Sequence, residues 1–250
     1  MYQLYIANKN YSSWSLRPWV LMRELDIAFD EQLVCFDQAD NFEAFRAFAP
    51  NGKVPCLVDK GLVDKDLVNK DQVDGGLASD GQTVWDSLGI TEYLYEFNPR
   101  VWPDELGARV WARCAVAEMH GGFDALRRDC TMNVGIRVFL NDIPASLQRD
   151  VTRIDELWSQ GLQRFGGPFL AGQHYTAVDA FFAPVVFRVR TYGLSLGAAA
   201  SDYVERVLQR PAMLEWERDA LLETFREESH EAEVHEVGCI TADYRKAPAY

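Results

Sequence analysis

Three serines crowd one short stretch, Tyr11-Ser12-Ser13-Trp14-Ser15-Leu16-Arg17. The polar run from Asn8 to Ser13 ends where Leu16, Trp19 and Val20 take up helical spacing, so the Ser12 and Ser13 hydroxyls fall at the mouth of a helix. Free backbone amides and the helix dipole favour an anion there, and a hydroxyl adds one more donor. Serines in that place also act as plain N-caps. Asp86-Ser87 repeats the arrangement ahead of a second helical stretch, with the same two readings. Between them, Asn51-Gly52-Lys53 is a turn cluster followed by Val54-Pro55-Cys56-Leu57-Val58. A proline in such a run belongs at a sheet edge, at a strand start or in a cis peptide.

Other side chains with chemical potential are not arranged for it. His120, His174, His230 and His235 show no metal-ligand spacing, and the five cysteines are scattered without a C-x-x-C pair. Neither a metal site nor a disulfide framework is expected. Thr176-Ala177-Val178-Asp179 has the form of a capping box, which makes Asp179 structural. A formal net charge of −13 disfavours nucleic acid and anionic membranes as partners, because no basic patch interrupts it. No apolar run reaches membrane-spanning length, and Tyr2-Gln3-Leu4-Tyr5-Ile6 has none of the features of a secretion signal, so the cytoplasm is the expected compartment.

The elements that must hold these residues follow from periodicity. Tyr2, Leu4 and Ile6 alternate with Gln3 and Tyr5 as a strand. A helix from about Ser15 follows, with Pro18 in its first turn, and then a strand-like run at Leu33-Val34-Cys35-Phe36. Strand, helix and strand at this spacing form a βαβ unit. Gln82-Thr83-Val84-Trp85 is a further strand, and the helix after Asp86-Ser87 ends at Asn98-Pro99. Beyond Trp102-Pro103 only helices are expected, the clearest on Leu147, Val151, Ile154, Trp158, Leu162 and Phe165. The stretch from Ala177 to Arg190 is apolar nearly all round, as befits the centre of a bundle. The domain expectation is therefore 1–98 for an α/β unit, 103–225 for a helical unit and 226–250 for a tail. Residues 60–81 hold a degenerate five-residue repeat and are expected to be a surface insertion.

The order of these features, a Ser-rich loop opening a helix, Val54-Pro55, Asp86-Ser87 and a capped helical second half, resembles the glutathione S-transferase family. The likeness spans the chain apart from the insertion and the tail. Ser12, five residues before Arg17, is similar to the pattern of the zeta and tau classes. The resemblance implies a thioredoxin-like α/β N-terminal domain, an all-α C-terminal bundle and a cytoplasmic homodimeric transferase of detoxification chemistry. Glutathione would be the co-substrate, with no metal. Ser12 or its neighbour Ser13 would stabilise the glutathione thiolate. A fall in the thiol pKa from about 8.5 to about 6.5 raises the ionised fraction at neutrality from roughly 3% to roughly 75%. Lys53, Val54, Pro55, Asp86 and Ser87 would bind the tripeptide. Tyr11, Trp14, Trp111, Ala115 and Met119 would line the pocket of a small electrophile. Trp14 departs from the zeta class, which has cysteine there, and its indole reshapes the site. A glutathione-dependent isomerase or lyase, and a non-catalytic carrier or scaffold, are the rival expectations.

Overall fold

The computed structural model describes residues 1–36, 41–62 and 81–247; the repeat expected as an insertion thus falls largely outside the described residues. Strand β1 (Tyr2–Ile6) runs parallel to β2 (Phe29–Leu33) and antiparallel to β3 (Cys56–Asp59), which pairs with β4 (Gln82–Val84). The sheet order is β2-β1-β3-β4. Leu4 and Ile6 point into the core, and helix α1 (Ser13–Glu24) covers that face with Leu16, Trp19 and Val20, all fully buried. Short α2 (Phe42–Arg46) and α3 (Ser87–Tyr95) complete the α/β unit.

Two boundaries differ from the periodicity. The second strand begins at Phe29 rather than Leu33, because an edge strand tolerates the polar Asp30, Glu31 and Gln32. Helix α1 starts at Ser13, so Pro18 is its sixth residue and not in the first turn. The missing Pro18 N–H leaves the Trp14 carbonyl without its helical donor.

The second half contains α4 (Leu106–Gly121), α5 (Asp124–Asp129), α6 (Ala145–Phe165), α7 (Ala177–Tyr192), α8 (Ala198–Leu208) and α9 (Pro211–Leu222). Helix α7 lies at the centre, packed on α1, α4 and α8, and fourteen of its sixteen residues are buried. Each large apolar side chain so buried contributes about 1.5–3 kcal/mol. Its N-terminus is closed by the expected capping box. The fully buried Asp179 also accepts from Leu170 N at 3.0 Å and from the Tyr203 hydroxyl at 3.1 Å.

The segment after 225 is not a bare tail. It forms α10 (Glu228–Val237) and β6 (Gly238–Asp243), and β6 pairs antiparallel with β5 (Ile136–Leu140). The helical unit thus carries a two-stranded ribbon. Ile136 and Val138 face the core while Phe139 faces out, the two-residue period of a half-buried strand. Among the described residues no helix is long and apolar enough to cross a membrane.

Candidate active site

A cleft of about 550 Å³ opens between the two halves. Tyr11 and Ser12, at the end of the loop that starts at Asn8, line it, and the rest of the chain clamps that loop. Lys9 N and Asn10 N donate to the Glu223 carboxylate at 2.6 and 3.1 Å, and Trp216 Nε1 donates to the Lys9 carbonyl at 2.9 Å. Asn10 Nδ2 reaches the Ala220 carbonyl, and Asn10 Oδ1 accepts from Gly135 N. Within the loop, Tyr11 N and Ser12 N both turn back to the Asn8 carbonyl, which sets Ser12 at the N-cap of α1.

Ser12 and Ser13 both line the cleft. Ser12 makes no side-chain cap bond; its Oγ lies 2.7 Å from Ser15 Oγ, which in turn accepts the Ala7 amide at 3.2 Å. Ser15 is fully buried, so this chain of donors is shielded from water. Opposite the serines stand Gly52, Lys53 and Val54. The Val54–Pro55 peptide is cis, one of the options that the proline left open. Gly52 has φ +63°, and a Cβ there would come within 2.4 Å of the Phe42 ring. No larger residue fits that turn.

Trp14 forms another wall, held between two guanidinium groups. Arg17 lies 4.0 Å from its ring centroid and Arg127 4.9 Å. Arg17 is almost wholly buried, also faces Phe181 at 4.7 Å, and donates to Ser87 Oγ at 3.5 Å. Burial and the charges of Arg127 and Arg188 push its pKa well down, with Asp86 acting in the opposite sense. Asp86 caps α3 through Leu88 N at 2.9 Å and lies 3.4 Å from His120 Nε2. Burial keeps His120 below the usual imidazole range, although Asp86 pulls the other way.

Tyr11, Ser12, Ser13, Trp14, Lys53 and Val54 therefore meet in one cleft, while Pro55 is buried directly behind it. Asp86 and Ser87 are linked to it through Arg17 and Trp14. Trp111, Ala115 and Met119 do not line the cleft: they are core residues, and Trp111 Nε1 donates to Gln160 Oε1 at 3.0 Å. The face of α4 expected to meet a substrate packs against α7 instead. The far wall comes from residues that no motif marks, namely Arg127, Thr131, Met132, Arg188, His230 and Glu233. Phe36, Phe42 and Phe45 add an apolar side. The basic Arg127-Arg128 pair and Arg188, set with Arg190 in a largely apolar stretch, are the sequence signals that hint at that wall.

Tyr11 connects the two sides. Its hydroxyl donates to Glu231 at 2.8 Å, and burial together with that carboxylate keeps the phenol protonated far above its ordinary range. Glu231 also accepts from Asn133 Nδ2 at 3.0 Å and from Arg245 at 2.6 and 3.0 Å. His230 lies over Tyr11 and Phe36, with ring centroids 5.1 and 5.9 Å apart. Among the described residues no group of three His, Cys, Asp or Glu side chains is gathered as for a metal ion.

Comparison with known proteins agrees with this architecture. Residues 11–96 match the glutathione S-transferase N-terminal domain and residues 109–219 the glutathione S-transferase C-terminal domain. A sequence search of curated proteins finds no match. Solved structures share the fold at low identity. A glutathione transferase homologue from Burkholderia GL BGR1 with bound glutathione is 19% identical, with 88% of this chain and 97% of that one covered and a TM-score of 0.57. Glutathione transferase Omega 2S from Trametes versicolor is 16% identical, with 94% and 98% covered and a TM-score of 0.63. Ure2p in complex with glutathione is 17% identical, with 87% and 93% covered and a TM-score of 0.58. With both domain families matched in order over most of its length, this chain belongs to the glutathione S-transferase family.

Proposed function

We propose that the cleft binds glutathione and holds its sulfur as a thiolate for attack on a small electrophile. The observation that carries this reading is the meeting of the Ser12 and Ser13 hydroxyls with Val54 across one cleft at the N-terminus of α1. The Val54 backbone pairs with the cysteinyl unit in the manner of an added strand. Asp86 at the start of α3 takes the γ-glutamyl ammonium and Lys53 meets the glycyl carboxylate, while Ser87, fully buried, acts behind them through Arg17. The sulfur then lies over the opening turn of α1.

Ser12 is the stronger donor of the two. Ser12 Oγ donates to Ser15 Oγ, which also accepts the Ala7 amide, so the Ser12 hydroxyl is held at the mouth of α1 and turns its proton from Ser15 to sulfur when the thiolate arrives. The helix dipole acts in the same direction. The thiol gives its proton to solvent and the sulfur lone pair forms a bond to carbon. In an addition, the displaced π pair is protonated; in a substitution, the leaving group departs with its bonding pair. Trp14, Phe36, Phe45 and Met132 supply the apolar surface against which such an electrophile lies. A cytoplasmic homodimer accompanies this reading, and sedimentation of the purified chain checks the assembly.

Ser12→Ala should lower kcat/KM for an activated aryl halide by about 100-fold, the scale set by loss of one anion-stabilising donor. The ultraviolet titration of bound glutathione should move back toward the free-thiol midpoint. Ser13→Ala should change turnover only a few-fold. Full turnover in Ser12→Ala assigns the role elsewhere, and no heat with millimolar glutathione makes the protein a carrier or scaffold.

A further inference from the structure

The cleft has a charge that neither the fold nor the thiolate explains. In a protein of net charge −13, its described lining residues include Lys53, Arg127 and Arg188 against one carboxylate, Glu233. Arg127 and Arg188 belong to the C-terminal wall, and neither forms an ion pair with a carboxylate among the described residues. Arg188 sits on the central helix α7, is 4% exposed, and spends only Nε on the protein, donating to the Cys130 carbonyl at 2.7 Å. Arg127 gives Nε to the Gly122 carbonyl at 2.9 Å and Nη2 to the Met119 carbonyl, which closes the C-terminal end of α4 and leaves Nη1 over. Arg17 is a second buried guanidinium without a carboxylate bond, and it, Arg188 and the half-buried Arg127 repel one another. Burial lowers Arg188 to about 10, with Arg127 adding to the effect, so it is still charged at neutrality.

An unpaired buried cation is costly, and the only other charged residue buried on α7, Asp179, is occupied at the helix's N-terminal cap. A side chain of that cost, with its terminal nitrogens on the cleft side, is matched by an anion arriving from the cleft. Glutathione anchored on Val54, Lys53 and Asp86 lies along the N-terminal wall. The C-terminal wall is left for the second reactant.

We propose that the second reactant carries a carboxylate or an equivalent oxyanion, which Arg188 receives with Arg127 beside Trp14. This rests on the thiolate reading above. Its rival source for the same anion is a carboxylate of glutathione itself.

The test compares trans-β-nitrostyrene with its 4-carboxy derivative, which share one acceptor carbon and differ in one charge, on the full chain. Wild type should favour the carboxylated probe by about 10-fold or more in kcat/KM, and the preference should shrink with added salt. Arg188→Met should lower turnover of the carboxylated probe by about 10- to 100-fold while the neutral one changes less than about three-fold. Arg188→Lys should restore part of the difference, and calorimetric affinity for glutathione should stay unchanged. Arg127→Met provides a second variant with the same direction and a smaller effect. Equal use of both probes by wild type overturns the proposal, as does equal loss on both in the variants. Glutathione affinity falling in step with turnover assigns the arginines to glutathione's own carboxylate and also overturns it. Should wild type turn over neither probe, the thiolate reading fails; tryptophan quenching by each probe then decides the anion site, which equal affinities would refute.

Discussion

The N-terminal side of the cleft takes Ser12, Ser13 and Trp14 from one loop and helix start, and Lys53 and Val54 from one turn. The C-terminal side takes Arg127 from α5, Thr131 and Met132 from the loop that follows it, Arg188 from the C-terminal half of α7, and His230 and Glu233 from α10. Local turn and helix-start chemistry shapes the first side. Packing between segments up to a hundred residues apart shapes the second. The two sides should therefore fail differently: changes to the first alter chemistry at nearly constant stability, and changes behind the second alter stability and recognition together.

The largest effect expected is at Asp179, which sits far from the reacting atoms but sets the start of the helix that carries Arg188. Removal of its carboxylate leaves Leu170 N, Thr176 N and the Tyr203 hydroxyl unpaired in a fully buried site. Asp179→Ala should cost about 3–5 kcal/mol and lower the denaturant midpoint accordingly. Asp179→Asn keeps one acceptor and should cost less. Ser12→Ala should by contrast leave the midpoint almost unchanged. Equal midpoints for wild type and Asp179→Ala would show that the second wall is not held by α7's cap.

A smaller effect is expected where the two sides are tied together. Glu223 accepts the amides of Lys9 and Asn10 and the Asn10 side chain, and so holds the serine loop against α9. Glu223→Ala should cost about 2–3 kcal/mol. It should also lower kcat more than it weakens glutathione binding, because Val54 and Asp86 are held by other elements while Ser12 moves with the loop. A fall in glutathione affinity with unchanged kcat would mean that the loop positions the ligand and not the sulfur.

How much could be read without coordinates follows the same division. The Ser12–Arg17 spacing, Val54-Pro55, Asp86-Ser87 and the Thr176–Asp179 box are contiguous motifs whose geometry is set within a few residues, and each is found in its expected local form. Trp111, Ala115 and Met119 show where such reading stops. Helical period tells which residues share a face, but not whether that face meets a ligand or another helix, and here α7 covers it. The ribbon was hidden for a similar reason. Ile136 pairs with Asp243, a partner over a hundred residues away, so no hairpin turn marks the pairing in the sequence. Ser15 looked like one more capping serine; its contact with Ser12 depends on the Ala7 amide, which only the end of β1 brings near.

The smallest effect concerns the α10–β6 segment, which carries His230 and Glu233 to the cleft and is fastened by ions more than by apolar packing. Glu231 is held below the ordinary carboxylate value of 4.5; burial opposes this, and its bonds from Arg245, Tyr11 and Asn133 prevail. Asp243 is likewise lowered through Arg245, against its own burial, and Glu227 falls to about 2, its burial outweighed by His230 and Ser229. Carboxyls whose folded pKa lies below the unfolded one contribute stability that is complete above the unfolded value and disappears as pH falls through the folded one. The segment should thus loosen from about pH 4.5 downward, while β1, which meets one depressed carboxylate, Asp59, and is otherwise closed by apolar packing, stays closed until the whole chain unfolds. Amide exchange along β6 and β1 between pH 6 and pH 3 separates the two. Glu231→Gln keeps the shape but loses the charge facing Arg245, and should open β6 by about 1–2 kcal/mol at neutral pH while flattening its acid response. Exchange of β6 and β1 rising together at every pH would contradict this, since the C-terminal wall would then be part of the same cooperative core as the wall it faces.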